Sequence, residues 1–414
     1  MDPKHPALPR GFSALLLIAM ILAAVNLRPA VTSLGALLDP VIEDLSMNGF
    51  IAGIITGVPP LCFAILGPLA PRLASKRGPE LVVVGAMLAI LCGLVLRSLA
   101  PNTWVFFIFT ALALAGIAVG NILMPVLVKR WFPTKIGLVT GSYTTAVALG
   151  ASVVAAIAVP VNDAIGGAWR GGLALWAIPA LIATLIWVVV YFGLRNQITE
   201  LQMPAPKTHV LAPAMGPMSR NSTAWWIALF FGAQSTVAYI LMGWAPKIFT
   251  DFGVDPAYAG ALLGVILGVG VPLSFIMPAL AAKFSHQGPL VIINGIAGIV
   301  AVAGLLIAPV QGAFIWAVLL GICGSSFPLA LTMIGLKAHT AAGVSKLSTF
   351  GQSIGYLIAI PGPFLVGALH ETTDSWTLPI LLIAGLILFQ TFTGIMAGRP
   401  RFVEDHGVAT RVDA

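Results

Sequence analysis

Charge is what this chain has least of. Of its 414 residues only 8% are Asp, Glu, Lys or Arg, against 59% hydrophobic, and the mean hydropathy is +1.01. A soluble domain cannot hide that much apolar surface from water. Cysteine is scarce: Cys62, Cys92 and Cys323 all fall in apolar runs, and no Cys or His pair has ligand spacing, so neither disulfides nor a metal site is expected. The six histidines fall in loops, tails or helix ends, and no Asp or Glu lies deep in an apolar run; Glu80 stands only at the edge of one. Nucleotide motifs, nucleophile constellations and soluble domains are missing as well, which argues against a membrane enzyme or sensor and leaves no cofactor to expect. The first apolar run is too long for a signal-peptide core and carries no small-residue cleavage site, so it should stay as a first helix.

Long apolar runs are abundant instead. Twelve are long enough to span a bilayer, at about 12–37, 50–70, 80–100, 104–128, 137–159, 172–194, 223–247, 258–281, 289–308, 312–335, 346–369 and 376–398. The longest interruption, 195–222, is polar and holds Pro204, Pro206, Pro213 and Pro217. The expected organisation is a first six-helix bundle over 1–194, a cytoplasmic linker over 195–222, a second bundle over 223–398 and a cytoplasmic tail over 399–414. With the N-terminus inside, seventeen Lys and Arg fall on the cytoplasmic side and only Arg97, Arg170 and Lys247 outside. The net charge of +7 is thus a topology signal rather than a nucleic-acid footprint, and both termini are expected in the cytoplasm.

The two halves echo each other. At an offset of 210, Pro68, Ser75, Gly78 and Pro79 match Pro278, Ser285, Gly288 and Pro289, and the first helix maps onto the seventh. One duplicated six-helix unit accounts for this, and such repeats characterise secondary transporters.

Arg28 is the most informative single residue. It lies inside the first apolar run, its guanidinium cannot be deprotonated, and burying it mid-membrane costs about 2.5–3.5 kcal/mol on insertion scales. With no embedded acid to pair with, its partner is expected to arrive as an anionic or strongly polar solute. Thr32 shares its face at i, i+4. Gln234, Ser235 and Tyr239 lie on the seventh helix, with Tyr239 within a residue of the position that the repeat relates to Arg28. Thr349, Gln352 and Tyr356 make one polar face on the eleventh, facing either a cavity or another helix. Asn121, Tyr143, Trp244 and Ser353 are candidate gating or secondary positions; Trp244 reads either as an interface anchor or as a cavity lid. Pro59-Pro60 and Pro361-Gly362-Pro363 are hinge candidates.

Twelve helices, a central cytoplasmic loop and a basic loop after the second helix resemble the major facilitator superfamily. Its Gly-x-x-x-Asp-Arg loop pattern is kept at Gly67 and Arg72, with Pro71 where Asp is expected. The chain is similar, more narrowly, to the cyanate/2-nitroimidazole porters. That likeness rests on Asn26-Leu27-Arg28-Pro29-Ala30-Val31-Thr32-Ser33, Gly120-Asn121-Ile122-Leu123-Met124-Pro125, Gly243-Trp244-Ala245-Pro246 and Gln352-Ser353-Ile354-Gly355-Tyr356. It implies an all-α polytopic fold of two pseudo-symmetric six-helix bundles. Helices one, four, seven and ten would line a central cavity, with two, five, eight and eleven beside them. The expected function is alternating-access transport of a small anion, cyanate-like or other, held by Arg28, Thr32, Gln234, Tyr239, Gln352 and Tyr356. The expected setting is a bacterial inner membrane, as a monomer in the lipid bilayer; any coupled proton would ride on the substrate. The alternative is a multidrug or nitroimidazole-type exporter, although the drug-antiporter signature of the fifth helix is absent.

Overall fold

The computed structural model describes residues 10–132, 135–200 and 217–405. Twelve helices long and apolar enough to cross a membrane run through it: α1 (Phe12–Ala36), α2 (Gly49–Gly67), α3 (Pro79–Ser98), α4 (Thr103–Trp131), α5 (Leu138–Ala164), α6 (Trp169–Gly193), α7 (Ser222–Asp251), α8 (Pro256–Ala281), α9 (Gly288–Ile307), α10 (Ala313–Leu336), α11 (Gly343–Thr373) and α12 (Thr377–Ala397). The expected spans agree with these to within a few residues. The linker expected over 195–222 lies largely outside the described residues, as do Lys4, Lys207, Arg411 and the end of the tail.

Local chemistry sets the helix ends. Asn48, Asn102, Asn221, Asp255 and Thr340 each accept a backbone N–H in the first turn that follows. Gly78, at φ +84°, reverses the chain between α2, which runs on to Arg77, and α3, and Pro79 then starts the new helix.

The packing repeats between halves. In the first six helices α1 packs on α5 and α6, α2 on α4, and α3 on α4 and α6; in the second, α7 packs on α11 and α12, α8 on α10, and α9 on α10 and α12. The halves meet along α2 and α11, α5 and α8, and α1 and α7, while α4 and α10 make no extended contact.

Three helices are broken, and each break has a cause. Pro29 lacks the N–H that would reach Val25, so the helix stops at Val25 and restarts at Pro29, with Arg28 between at φ −130°. In α11 the break falls at Ile360, just before Pro361. In α10 it falls at Ser325, whose hydroxyl donates to the Ile322 carbonyl. The hinge expected at Pro361 thus coincides with a real break, whereas helix continues through Pro59-Pro60.

Candidate substrate site

Because Arg28 occupies the break in α1, its side chain leaves the helix where the backbone is already irregular. It is half-buried and directs Nη1 to the Met242 sulfur of α7 at 3.9 Å. The Tyr239 phenol lies against the same guanidinium, and Tyr356 of α11 is electrostatically coupled to both. Tyr356 stacks on Phe63 of α2, with ring centroids 4.9 Å apart, and takes the edge of Phe231 of α7 at 5.2 Å. Arg28, Tyr239 and Tyr356 therefore converge from α1, α7 and α11 onto one spot between the halves. No carboxylate forms an ion pair with Arg28 among the described residues.

The other expected site residues are placed differently. The Thr32 hydroxyl is fully buried and donates to the Arg28 carbonyl, stabilising the restarted helix. Gln234 donates to Ser235 beside it, and Gln352 to Ser348 one turn back. Asn121 donates to the Ile117 carbonyl of its own helix, Tyr143 is buried, and Ser353 is half-buried on α11. Trp244 is fully buried, donates to the Pro363 carbonyl and meets Trp376 edge-on, so its reading as an interface anchor is corrected: it lies inside the protein, between α7 and α11.

Arg97 needs a larger correction. Counted among the cations of the outer side, at the end of the third expected span, it is fully buried in the last turn of α3. It donates to the Ala30 carbonyl at 2.8 Å and to the Ser33 hydroxyl at 3.4 Å, and Ser33 donates on to the Pro29 carbonyl. It thus grips the segment that carries Arg28. Its position three residues before Ala100-Pro101 made it look like a cation of the outer rim. Glu80 stands at the edge of α3 as expected, but it is buried, accepts the Trp131 indole N–H at 2.8 Å and pairs with Arg130 at 3.2 Å. Phe63, Phe231 and Met242 went unmarked in sequence because apolar residues in apolar helices carry no polar signal.

On the face assigned to the outside, the halves are sealed. A Cβ at Gly35 would run into the Met242 carbonyl, and one at Gly367 into the Gly49 carbonyl. Lys247 of α7 bridges Asp39 at 2.7 Å and Asp251 at 3.2 Å, and Glu371 accepts the Gly49 N–H at 2.6 Å at the start of α2.

A family model for the Major Facilitator Superfamily matches residues 14–360. The uncharacterized transporter YycB of Bacillus subtilis (strain 168) is 35% identical over 402 residues, covering 96% of this chain and 97% of that one. The 2-nitroimidazole transporter of Escherichia coli (strain K12) is 32% identical over 394 residues, 94% of this chain and 97% of its own. The cyanate transport protein CynX of the same organism is 26% identical over 378 residues, 90% and 95% of the two chains. Among solved structures, a bacterial homologue of the human lysosomal transporter Spinster, in an inward-facing and occupied conformation, superposes with a TM-score of 0.71 at 15% identity, covering 97% of this chain and 98% of that chain.

Proposed function

We propose that this chain, which belongs to the major facilitator superfamily, moves a small anionic or compact polar solute across the membrane by alternating access, with Arg28 as the central ligand. It is a transporter of the cyanate/nitroimidazole type. The observation that carries the finer reading is Arg28 itself. It is a permanently charged fork, half-buried between the halves, whose neighbours are the Met242 thioether and the Tyr239 phenol, with Tyr356 in electrostatic reach, rather than a carboxylate. An anion would supply the missing charge and could accept paired, charge-assisted hydrogen bonds. Tyr239 and Tyr356 would orient it through their hydroxyls. Gln234 and Gln352, now bonded to neighbours on their own helices, would enter the site only after a rotamer change. Asn121, Tyr143, Trp244 and Ser353 would act in gating around it.

Cyanate and other small planar anions are the first candidates, since one relative is named for cyanate transport. A nitroimidazole is the second reading, favoured by the relative named for 2-nitroimidazole; a nitro group also offers two coplanar oxygens to a guanidinium. The protein would act as a monomer in a bacterial inner membrane with both termini cytoplasmic, its two bundles rocking about the site. A proton, where coupled, would travel on the substrate.

The test is thermal stabilisation of the purified protein by cyanate, nitrate, nitrite, short carboxylates and 2-nitroimidazole, with Arg28→Ala beside it. Stabilisation by an anion in wild type and none in the variant is expected. Equal stabilisation in both, or a response to neutral or cationic heterocycles alone, would overturn the anion reading.

A further inference from the structure

Within the first six helices, α2, α3 and α4 enclose a groove of about 420 Å³. Leu66 and Leu73 of α2, Gly85 and Leu88 of α3 and Gly116 of α4 form its walls, and Arg77, where α2 ends, closes one end. The helix α3 packs on α2, α4 and α6 and makes no extended contact with the second half, and neither Arg28 nor any residue of the second half lines the groove. Leu73, Gly85 and Leu88 are exposed along its lip; Gly85 and Leu88 belong to the apolar span of α3, where a bilayer would present acyl chains, and Leu73 lies beyond the span of α2, toward the headgroups. Nothing lies within 4 Å of where a Gly85 side chain would begin, so the groove is open at mid-length.

The cation at its end is available. Arg77 is exposed, it follows Arg72 and Lys76 in the same helix end, and no carboxylate forms an ion pair with it among the described residues. Glu80, the nearest acid in sequence, is engaged by Arg130 and Trp131. An apolar channel of ligand size, ending in an unpaired cation at the edge of the apolar span, matches one kind of molecule. We propose that the groove binds an anionic phospholipid, one acyl chain lying between α2 and α3 and the phosphate held by Arg77. Since α2 also carries the contact to α11 through Phe63 and Tyr356, an occupied groove would bear on the wall of the central site.

The experiment is lipid titration of the purified full-length protein, read by native mass spectrometry and thermal stability, with phosphatidylglycerol against phosphatidylethanolamine. Wild type should retain phosphatidylglycerol and be stabilised by it. Gly85→Phe, which fills the groove from a position with room for a side chain, and Arg77→Gln, which removes the phosphate contact, should each weaken that binding at least fivefold. Arg401→Gln, an exposed cation of the second half, should leave it unchanged, and glycerol 3-phosphate, the headgroup without chains, should not stabilise. Equal binding of both lipids by wild type, phosphatidylglycerol binding by both groove variants as in wild type, or an equal loss in Arg401→Gln would overturn the proposal.

Discussion

Arg28 and Arg97 are both arginines in apolar helices, yet their surroundings assign them different work. Arg28 is half-buried beside Tyr239 and Met242, so its charge faces the space between the halves. Arg97 is fully buried and gives one N–H of each terminal nitrogen to the Ala30 carbonyl and Ser33, its Nε remaining without a partner. Arg28→Ala should therefore fold and insert while losing about 3 kcal/mol or more of anion binding, roughly a hundredfold in Kd, measured by titration of the stabilising anion. Arg28→Lys should recover only part, since an ammonium keeps the charge without the planar fork. Arg97→Ala should act on stability instead, by about 2–4 kcal/mol, because it strips hydrogen bonds from buried acceptors and leaves a cavity. Normal stability of that variant by thermal unfolding would refute the grip on α1. Sequence could separate these roles only halfway. Arg28 is legible because seventeen uninterrupted residues place it inside a span; Arg97 is not, because it stands at the frayed end of one, where loop and buried helix terminus share a composition. The aromatic partners Phe63 and Phe231 are illegible for the opposite reason, being apolar among apolar neighbours.

At the scale of helices, length and apolar composition made the twelve spans and their order readable, since a bilayer-crossing segment has one dominant requirement. Of the breaks only the one at Pro361 was readable; Pro29 and Ser325, where a hydroxyl competes for a helix carbonyl, were not, and a proline alone does not force a break, since the helix runs on through Pro59-Pro60. How a helix end is anchored was not readable either. Lys337, expected in a cytoplasmic loop, is buried past the end of α10 and donates to the Gly398 and Arg399 carbonyls beyond α12. Burial pulls its ammonium down to about 8. Below pH 8 the lysine is protonated whether folded or unfolded, and the burial cost is present in full. As the pH rises from about 8 toward the ordinary lysine range, the folded form sheds its proton first and that cost fades. The stability of wild type relative to Lys337→Met should therefore climb across that window, seen as converging unfolding temperatures in paired pH series. Parallel pH profiles would show that Lys337 is not strained by its burial.

For the whole molecule, the outer seal combines two kinds of contact, and their magnitudes decide which one holds it. The ion cluster Asp39–Lys247–Asp251 is partly exposed, with Asp39 42% accessible, and such pairs contribute about 0–1 kcal/mol. The glycine contacts are backbone against backbone: Gly35 on Met242, Gly53 on Phe364 and Gly367 on Gly49. A methyl group placed there cannot be absorbed by a rotamer change, and overpacking costs about 1–3 kcal/mol. If separation of α1 and α7 relieves that contact, the cost falls on the sealed arrangement, and a state-selective cost of this size shifts a two-state equilibrium roughly 5- to 150-fold. Gly35→Ala should therefore move the protein toward an arrangement open at the outer face, whereas Asp39→Asn should change the balance by less than about fivefold. The two are compared by the rate at which a thiol reagent applied from that face labels a cysteine introduced at Thr250, which lies inside the seal and donates to Asp39. Faster labelling in Gly35→Ala than in Asp39→Asn locates the seal in close helix packing; the reverse order would locate it in the charges, and α1 and α7 would then be held together from the rim rather than along their length.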